Sequence, residues 1–151
     1  MRILVTFILF FGFVSIVFSQ EKHVNCIIFI DGKLPGISDI YDECFTFSDS
    51  SNIDVKIDFE YVIGEMIFSE ANYLLLNSLD PTIKVTLDFK YRDMKGKEYN
   101  YSGELITEWI FYRYLVIRIT NLNKKKGEYY FGYSTPGISK MFIKKEYNMF
   151  E

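Results

Sequence analysis

The sequence predicts a mainly β domain, an antiparallel β-sandwich or open barrel of seven to nine strands with one short helix. Three observations support this fold class. Apolar and polar residues alternate strictly in IDVKIDFEY (53–61), a period that is typical of a half-buried strand. The chain holds 12 tyrosines and 15 phenylalanines, and aromatic residues favour strands. Turn signals separate the alternating segments throughout.

The first twenty residues differ from the rest of the chain. Arg2 precedes an unbroken apolar run over residues 3–18, and small Ser19 and polar Gln20 follow it. This order is typical of a secretory signal peptide, so we predict one over residues 1–20 and an exported protein, periplasmic, secreted or at the cell surface. The run is shorter than the roughly 20 residues of a membrane-spanning helix, and an uncleaved anchor is the alternative.

Residues 21–151 suffice for one domain and are too few for two, so we predict a single β-rich domain over this range. Without the leader, 16 basic and 20 acidic side chains give a net charge of −4, which argues against nucleic acid as a partner. A membrane is expected as a partner only if the leader is not cleaved.

Two cysteines, Cys26 and Cys44, follow the leader. An even number of cysteines in an oxidising compartment predicts a disulfide between them, and two buried free thiols are the alternative. A hairpin folded about Pro35 would set the two positions opposite each other, because each lies nine residues from that proline.

Strands and turns alternate through the first half of the predicted domain. The turn dipeptides Asp31-Gly32 and Pro35-Gly36 follow the first apolar run, and the loop SDSSN precedes the alternating stretch. That stretch can continue as one strand to Phe68, with Gly64 at a bulge or a bend. The strand segments predicted here are residues 24–30, 44–47 and 53–68.

One helix is predicted next, over EANYLLLNSL. Ser69 can cap its start and Pro81 follows its end. Leu75 and Leu79 fall on one stripe with Ala71, and Tyr73, Leu74 and Leu76 widen it. We therefore expect the helix to close an open end of the core.

The second half returns to strands. TIKVTLDFKY (82–91) alternates, a hairpin turn is expected around Gly96, and YNYSGELITEWIFYRY then returns as strand to Tyr114. The remaining strand segments are LVIRI, EYYFGYS and SKMFIKK.

The segment IRITNLNKKKGEYYF resembles the corner between sheets in immunoglobulin-like sandwiches, because Gly127-x-Tyr129 follows a strand and a polar loop. The resemblance implies that the Tyr129 hydroxyl bonds back to the backbone. It is confined to this segment. The cysteines and Trp109 lack the spacing of immunoglobulin domains, so the resemblance supports a sandwich and assigns no family.

Residues suited to catalysis are sparse. His23 is the single histidine, so serine–histidine, cysteine–histidine and zinc sites are not predicted. Asp54, Asp58 and Glu60 share one face of the predicted strand and could serve a hydrolase, but Lys56 lies between two of them, and interleaved charge also keeps an exposed sheet soluble. We favour solubility and predict no catalytic residue, metal site or cofactor.

Aromatic residues in EWIFYRY and EYYFGY are the main binding candidates. Adjacent strand residues point to opposite faces, so part of each cluster faces away from the core. Two-sided burial explains this pattern, and so does a face that stacks on sugar rings or contacts a protein. The predicted binding residues are Trp109, Tyr112, Tyr114, Tyr130 and Tyr133.

These features favour a non-catalytic binding or cell-envelope-associated module whose ligand is a protein or a carbohydrate. A carboxylate-dependent hydrolase acting on a carbohydrate is one alternative. A structural surface protein anchored by an uncleaved leader is the other.

Overall fold

The computed structural model describes residues 20–48 and 53–145, and ten strands within them form two packed sheets. The fold is therefore mainly β and sandwich-like, with more strands than the seven to nine predicted. The predicted signal peptide lies outside the described residues except for Gln20. No helix in the described part of the chain is long and apolar enough to cross a membrane. The elements are β1 (Lys22–Ile30), β2 (Ile40–Ser48), β3 (Asp54–Asp58), β4 (Glu60–Val62), β5 (Gly64–Phe68), α1 (Glu70–Asn77), β6 (Lys84–Arg92), β7 (Glu98–Ile106), α2 (Thr107–Ile110), β8 (Leu115–Asn123), β9 (Glu128–Thr135) and β10 (Ile138–Lys145).

The strand order is β10-β9-β8-β1-β5-β4 in the six-stranded sheet and β3-β2-β6-β7 in the four-stranded sheet. Neighbouring strands are antiparallel except β1 and β8, which run parallel with Ile28 opposite Ile117. This pair departs from the predicted antiparallel pattern because α2 brings the chain back to the end of the sandwich at which β1 begins, so that β8 takes the same direction.

Alternate strand residues fill the space between the sheets. In β6, Val85, Leu87 and Phe89 are buried while their neighbours face outward. The sheets approach closely at Gly103 in β7, where a Cβ atom would lie 2.3 Å from the ring of Phe131 in β9. Only glycine leaves room for that ring, so this contact fixes how the two sheets pack.

The alternating stretch predicted as one strand is three strands in two sheets, so that prediction is wrong. The chain crosses between the sheets at Phe59, whose N–H donates to the Glu43 carbonyl at 3.3 Å, and the Glu43 carboxylate accepts from the Tyr61 N–H at 3.1 Å. Ile57, Phe59 and Tyr61 all stay buried, because both sheets face the same core. Gly64, with φ of +98°, lies at the turn into β5 rather than at a bulge.

Helix α1 begins as predicted, since the Ser69 hydroxyl accepts from the Asn72 N–H at 3.2 Å. It closes one end of the core, which confirms its expected place. Within the predicted stripe, Leu76 is fully buried and Leu79 packs against the core, whereas Leu75 is exposed. Tyr73 sets this orientation, because its ring packs edge-on against aromatic rings from β5 and from the segment after α2.

The strand predicted to reach Tyr114 ends at Ile106, and α2 replaces its second part. The N–H and the hydroxyl of Thr107 both donate to the Ile83 carbonyl, each at 2.9 Å. The backbone bond extends the register of β6 and β7, in which Lys84 lies opposite Ile106, by one residue, and α2 begins there. Trp109 is therefore buried because of its position in the helix α2, and not because it is an inward-facing residue of a strand.

The predicted disulfide is not formed, because Cys26 and Cys44 are both buried free thiols. Cys26 faces the core from β1, whereas Cys44 lies on the outer side of the other sheet, in register with Asp58 and Asp88. The segment around Pro35 joins two sheets instead of forming a hairpin, so the thiols face different surroundings. Burial raises the pKa of both cysteines.

The hydroxyl of Tyr129 bonds to the backbone, as its resemblance to a tyrosine corner implied. It donates to the Ser102 carbonyl at 3.1 Å and accepts from the Ser102 N–H at 2.8 Å. Ser102 belongs to β7 of the opposite sheet, so this tyrosine ties the two sheets together.

Candidate functional site

The outer surface of the six-stranded sheet is rich in apolar side chains. These residues alternate with the core residues of their strands and therefore point away from the core. Met141 and Ile143 in β10 are the most open, with 64% and 62% of their surface exposed. We call the set the apolar face, and it consists of Ile27, Phe29, Ile67, Val116, Tyr130, Met141 and Ile143.

Strand register brings some residues of the apolar face together. Tyr130 lies opposite Ile143 across β9 and β10, and Ile27 lies opposite Val116 across β1 and β8. Neighbouring strands are about 4.8 Å apart, so paired side chains on one face are in contact range. Between β8 and β9, however, the outward-facing pairs are Val116–Ser134, Arg118–Gly132 and Thr120–Tyr130, and in β5 Ile67 lies opposite His23. The apolar side chains therefore form two groups, one on β9 and β10 and one on β1 and β8, with Arg118 and Gly132 between them.

Arg118 lies among the residues of the apolar face, opposite Phe29 and Gly132. Its guanidinium is 5.9 Å from the centre of the Phe29 ring and donates to the Ser134 hydroxyl at 2.9 Å. An arginine held over an aromatic ring keeps its planar donors facing outward, which suits contact with another surface.

Strand β10 forms one edge of the six-stranded sheet and, among the described strands, pairs only with β9. Three consecutive apolar residues, Met141, Phe142 and Ile143, are exposed along it. Lys140 and Lys144 flank them. An edge with open backbone groups and apolar side chains can accept a further strand, and flanking lysines are the usual guard against nonspecific pairing.

Two of the five predicted binding residues are buried. The rings of Trp109 and Tyr133 lie 5.2 Å apart between their centres, and the ammonium group of Lys140 is 4.5 Å from the centre of the Trp109 ring. Burial raises the pKa of Tyr133 to about 12. This pair packs within the protein at the β10 side.

The other three predicted residues are more open but lie apart. Tyr112 and Tyr114 follow α2, and the Tyr112 hydroxyl donates to the Glu108 carboxylate at 3.1 Å. Tyr130 belongs to the apolar face. The prediction did not include Met141 or Ile143, although the alternation in SKMFIKK places an apolar residue on each side of that strand.

The outer surface of the four-stranded sheet, here called the charged face, has the opposite character. Its exposed residues form ion pairs within the described part of the chain, and such surface pairs each contribute about 0 to 1 kcal/mol. The pairs are Lys56–Asp58 at 2.8 Å, Lys90–Asp42 at 2.8 Å, Arg92–Glu98 at 2.7 Å and Lys84–Glu104 at 3.6 Å.

The carboxylates considered for hydrolysis do not converge. Asp54 and Asp58 lie on the charged face, whereas Glu60 is on β4 in the other sheet. Asp54 and Glu104 line a shallow groove of about 400 Å³. Their strands are three strand spacings apart, about 14 Å, and paired glycosidase carboxylates lie within about 10 Å. His23 lies in β1 and contacts Glu65 at 2.9 Å.

A cleft opens at the end of the sandwich opposite the helices. Loops 31–39, 93–97 and 124–127 surround it, and we call this part the lysine end. The cleft encloses about 580 Å³, and Tyr91 and Tyr99 form part of its wall. None of the predicted binding residues lies at the lysine end. Most side chains there come from loops, and the alternation of apolar and polar residues predicts strands only.

The lysine end is held together by Asp31. Its carboxylate contacts the Lys124 ammonium group at 2.9 Å and accepts from the Asn121 N–H at 2.8 Å. Partial burial raises the pKa of Asp31, but these bonds outweigh it and leave the pKa below its usual value. The ammonium groups of Lys97 and Lys124 lie 4.9 and 5.6 Å from the centre of the Tyr99 ring.

Among residues 20–48 and 53–145, no group of three histidine, cysteine, aspartate or glutamate side chains could hold a metal ion. The apolar face and the lysine end are the two surfaces that differ most from an ordinary solvent-exposed sheet. The chain matches no protein-family model, no curated protein and no solved structure.

Proposed function

We propose that this protein is a non-catalytic binding module that contacts another protein through its apolar face. The observation that supports this most strongly is the exposed apolar group on the edge of the sheet, Met141 and Ile143 beside Tyr130, with a second apolar group at Ile27 and Val116. Contiguous exposed apolar surface marks interaction sites, whereas scattered apolar residues do not. The charged face shows that this same sandwich can cover a sheet with polar residues.

The composition of the face favours a protein over a carbohydrate. Protein interfaces are enriched in methionine, aromatic residues and arginine and depleted in lysine and carboxylates at their centre. Met141, Tyr130 and Arg118 fit that description. A sugar site needs several converging hydrogen-bonding groups beside its aromatic rings, and the apolar face is mainly aliphatic.

The location of the module is part of the proposal. The signal peptide proposed for residues 1–20 would export the domain at 21–151, and the partner is then a protein of the envelope, cell surface or medium. If the leader is not cleaved, it anchors the protein in a membrane, and the apolar face contacts its partner protein at that membrane.

Comparative capture tests the proposal. The wild type is compared with a Met141→Glu, Ile143→Glu double variant and with a Lys56→Gln, Lys84→Gln control, which changes the net charge equally on the charged face. We expect a protein that the wild type and control capture and that the apolar-face variant captures at least tenfold less, as for central interface residues. Equal capture by both variants, or no protein enriched by the wild type, would contradict it.

A further inference from the structure

Exposed apolar residues project from two loops of the lysine end. Met94 in loop 93–97 is 96% exposed, and Ile37 and Leu34 in loop 31–39 are 78% and 50% exposed. Apolar side chains that are this exposed at loop tips become buried only when the surface of another molecule covers them.

Lysines surround these tips. Loops 31–39, 93–97 and 124–127 together carry six lysines and three aspartates, in a protein whose net charge is −3. This end is therefore locally positive on a negative molecule.

The aspartates are engaged within the loops. Asp31 pairs with Lys124, Asp39 accepts from the Gly36 N–H at 2.6 Å, and Asp93 accepts from the N–H groups of Lys95 and Lys97 at 2.9 and 3.0 Å. The other lysines of these loops form no ion pair among the described residues. Their ammonium groups remain available to an external anion.

From this combination we infer that the lysine end seats on the surface of an anionic phospholipid membrane. Apolar side chains enter the interfacial region, while lysines attract the phosphate groups around them, and binding of this kind depends on both terms. The cleft between Tyr99, Lys97 and Lys124 has room for a lipid head group. A soluble anion would use the lysines and the cleft but would leave Met94 in water.

Vesicle binding by the full chain tests the inference. The vesicles contain phosphatidylcholine alone or phosphatidylcholine with phosphatidylglycerol. We expect binding to the mixed vesicles that weakens as salt is raised. Each lysine near the surface contributes about fivefold, so a Lys95→Gln, Lys97→Gln variant binds about 25-fold more weakly. Met94→Gln, which removes an inserted apolar side chain, binds about tenfold more weakly.

The Lys56→Gln, Lys84→Gln variant is the matched control, because it removes two positive charges, as the Lys95→Gln, Lys97→Gln variant does, but from the charged face. All variants keep the apolar leader, so the leader contributes equally to their binding. It is expected to bind as the wild type does. Equal vesicle binding by all variants would overturn the inference. Weaker binding of the lysine variant together with unchanged binding of Met94→Gln would also overturn it, because that result indicates a site for a soluble anion such as inorganic phosphate. As a local readout, Met94→Trp emission should shift to shorter wavelength on mixed vesicles only; no shift would contradict insertion.

Discussion

The charged face and the apolar face are outer surfaces of the same sandwich, built from strands that alternate in the same way. On the charged face, Lys56 pairs with Asp58 and Lys84 with Glu104. On the apolar face, the corresponding outward positions hold residues such as Ile27, Met141 and Ile143.

This difference separates what the fold requires from what it does not. Both sheets need buried residues on their inner side, and both have them. The fold does not require apolar residues outside, since the four-stranded sheet has few there. Folding therefore does not account for the apolar face, and the proposed contact with a partner does.

The largest expected effect is on the free energy of unfolding, and it compares a glycine between the sheets with a glycine on the side of the apolar face. Gly103→Ala places a Cβ against the Phe131 ring and should destabilise the protein by about 2 to 3 kcal/mol, as overpacked cores do. Gly132→Ala lies on the apolar side, where a Cβ meets no atom closer than 3.4 Å, and should cost less than about 1 kcal/mol. Urea unfolding measures both, and equal costs would contradict the proposed packing.

The second prediction compares the lysine end with the charged face. Asp31→Asn should cost about 1 kcal/mol near neutral pH, because the bonds to Lys124 and Asn121 weaken. Asp58→Asn, which loses one exposed ion pair, should cost less than about 0.5 kcal/mol.

The pH dependence of the Asp31 effect has a definite sign. The pKa of Asp31 is lowered in the folded protein, so its stabilisation is present above the ordinary value of 3.8 and is lost as the pH falls through the folded value. Stability curves of the wild type and Asp31→Asn should converge in acid. A constant difference down to low pH would show that the charge is not the cause.

The third prediction concerns the crossing between the sheets. Burial raises the pKa of Glu43 above its ordinary value of 4.5, so the charged form opposes folding near neutral pH. Glu43→Gln keeps an acceptor for the Tyr61 N–H and should add a few tenths of a kcal/mol at neutral pH. The gain should vanish below pH 4.5, where Glu43 is protonated, and thermal unfolding at two pH values measures it. A loss of stability at neutral pH would contradict this account.

The smallest expected change is in the stability of the apolar-face variant. Met141→Glu with Ile143→Glu should alter the free energy of unfolding by less than about 0.5 kcal/mol, because both side chains are already exposed. Binding of an apolar dye to the native state should fall at the same time. Marked destabilisation would mean that these residues serve the fold instead.

The sequence predicts those features that depend on local chemistry. Alternation identified the β class and the buried residues of β6, and Ser69 identified the start of α1. These features depend on residues close in the chain.

Features that depend on distant contacts were not predictable in this way. The chain changes sheets at Phe59 without interrupting the alternation, because both sheets share one core. Cys44 lies away from Cys26 because the segment around Pro35 joins β1 and β2 in different sheets instead of forming a hairpin. The apolar face likewise emerges only when β1, β8, β9 and β10 become neighbours.

The central claim is that a partner contacts the apolar face and leaves the charged face in water. A photoreactive side chain placed at Ile143, and separately at Lys56, tests this most directly in the producing cells. The account predicts a discrete cross-linked adduct of higher mass from position 143 and none from position 56. Equal adducts from both positions, or an adduct from position 56 alone, would contradict it.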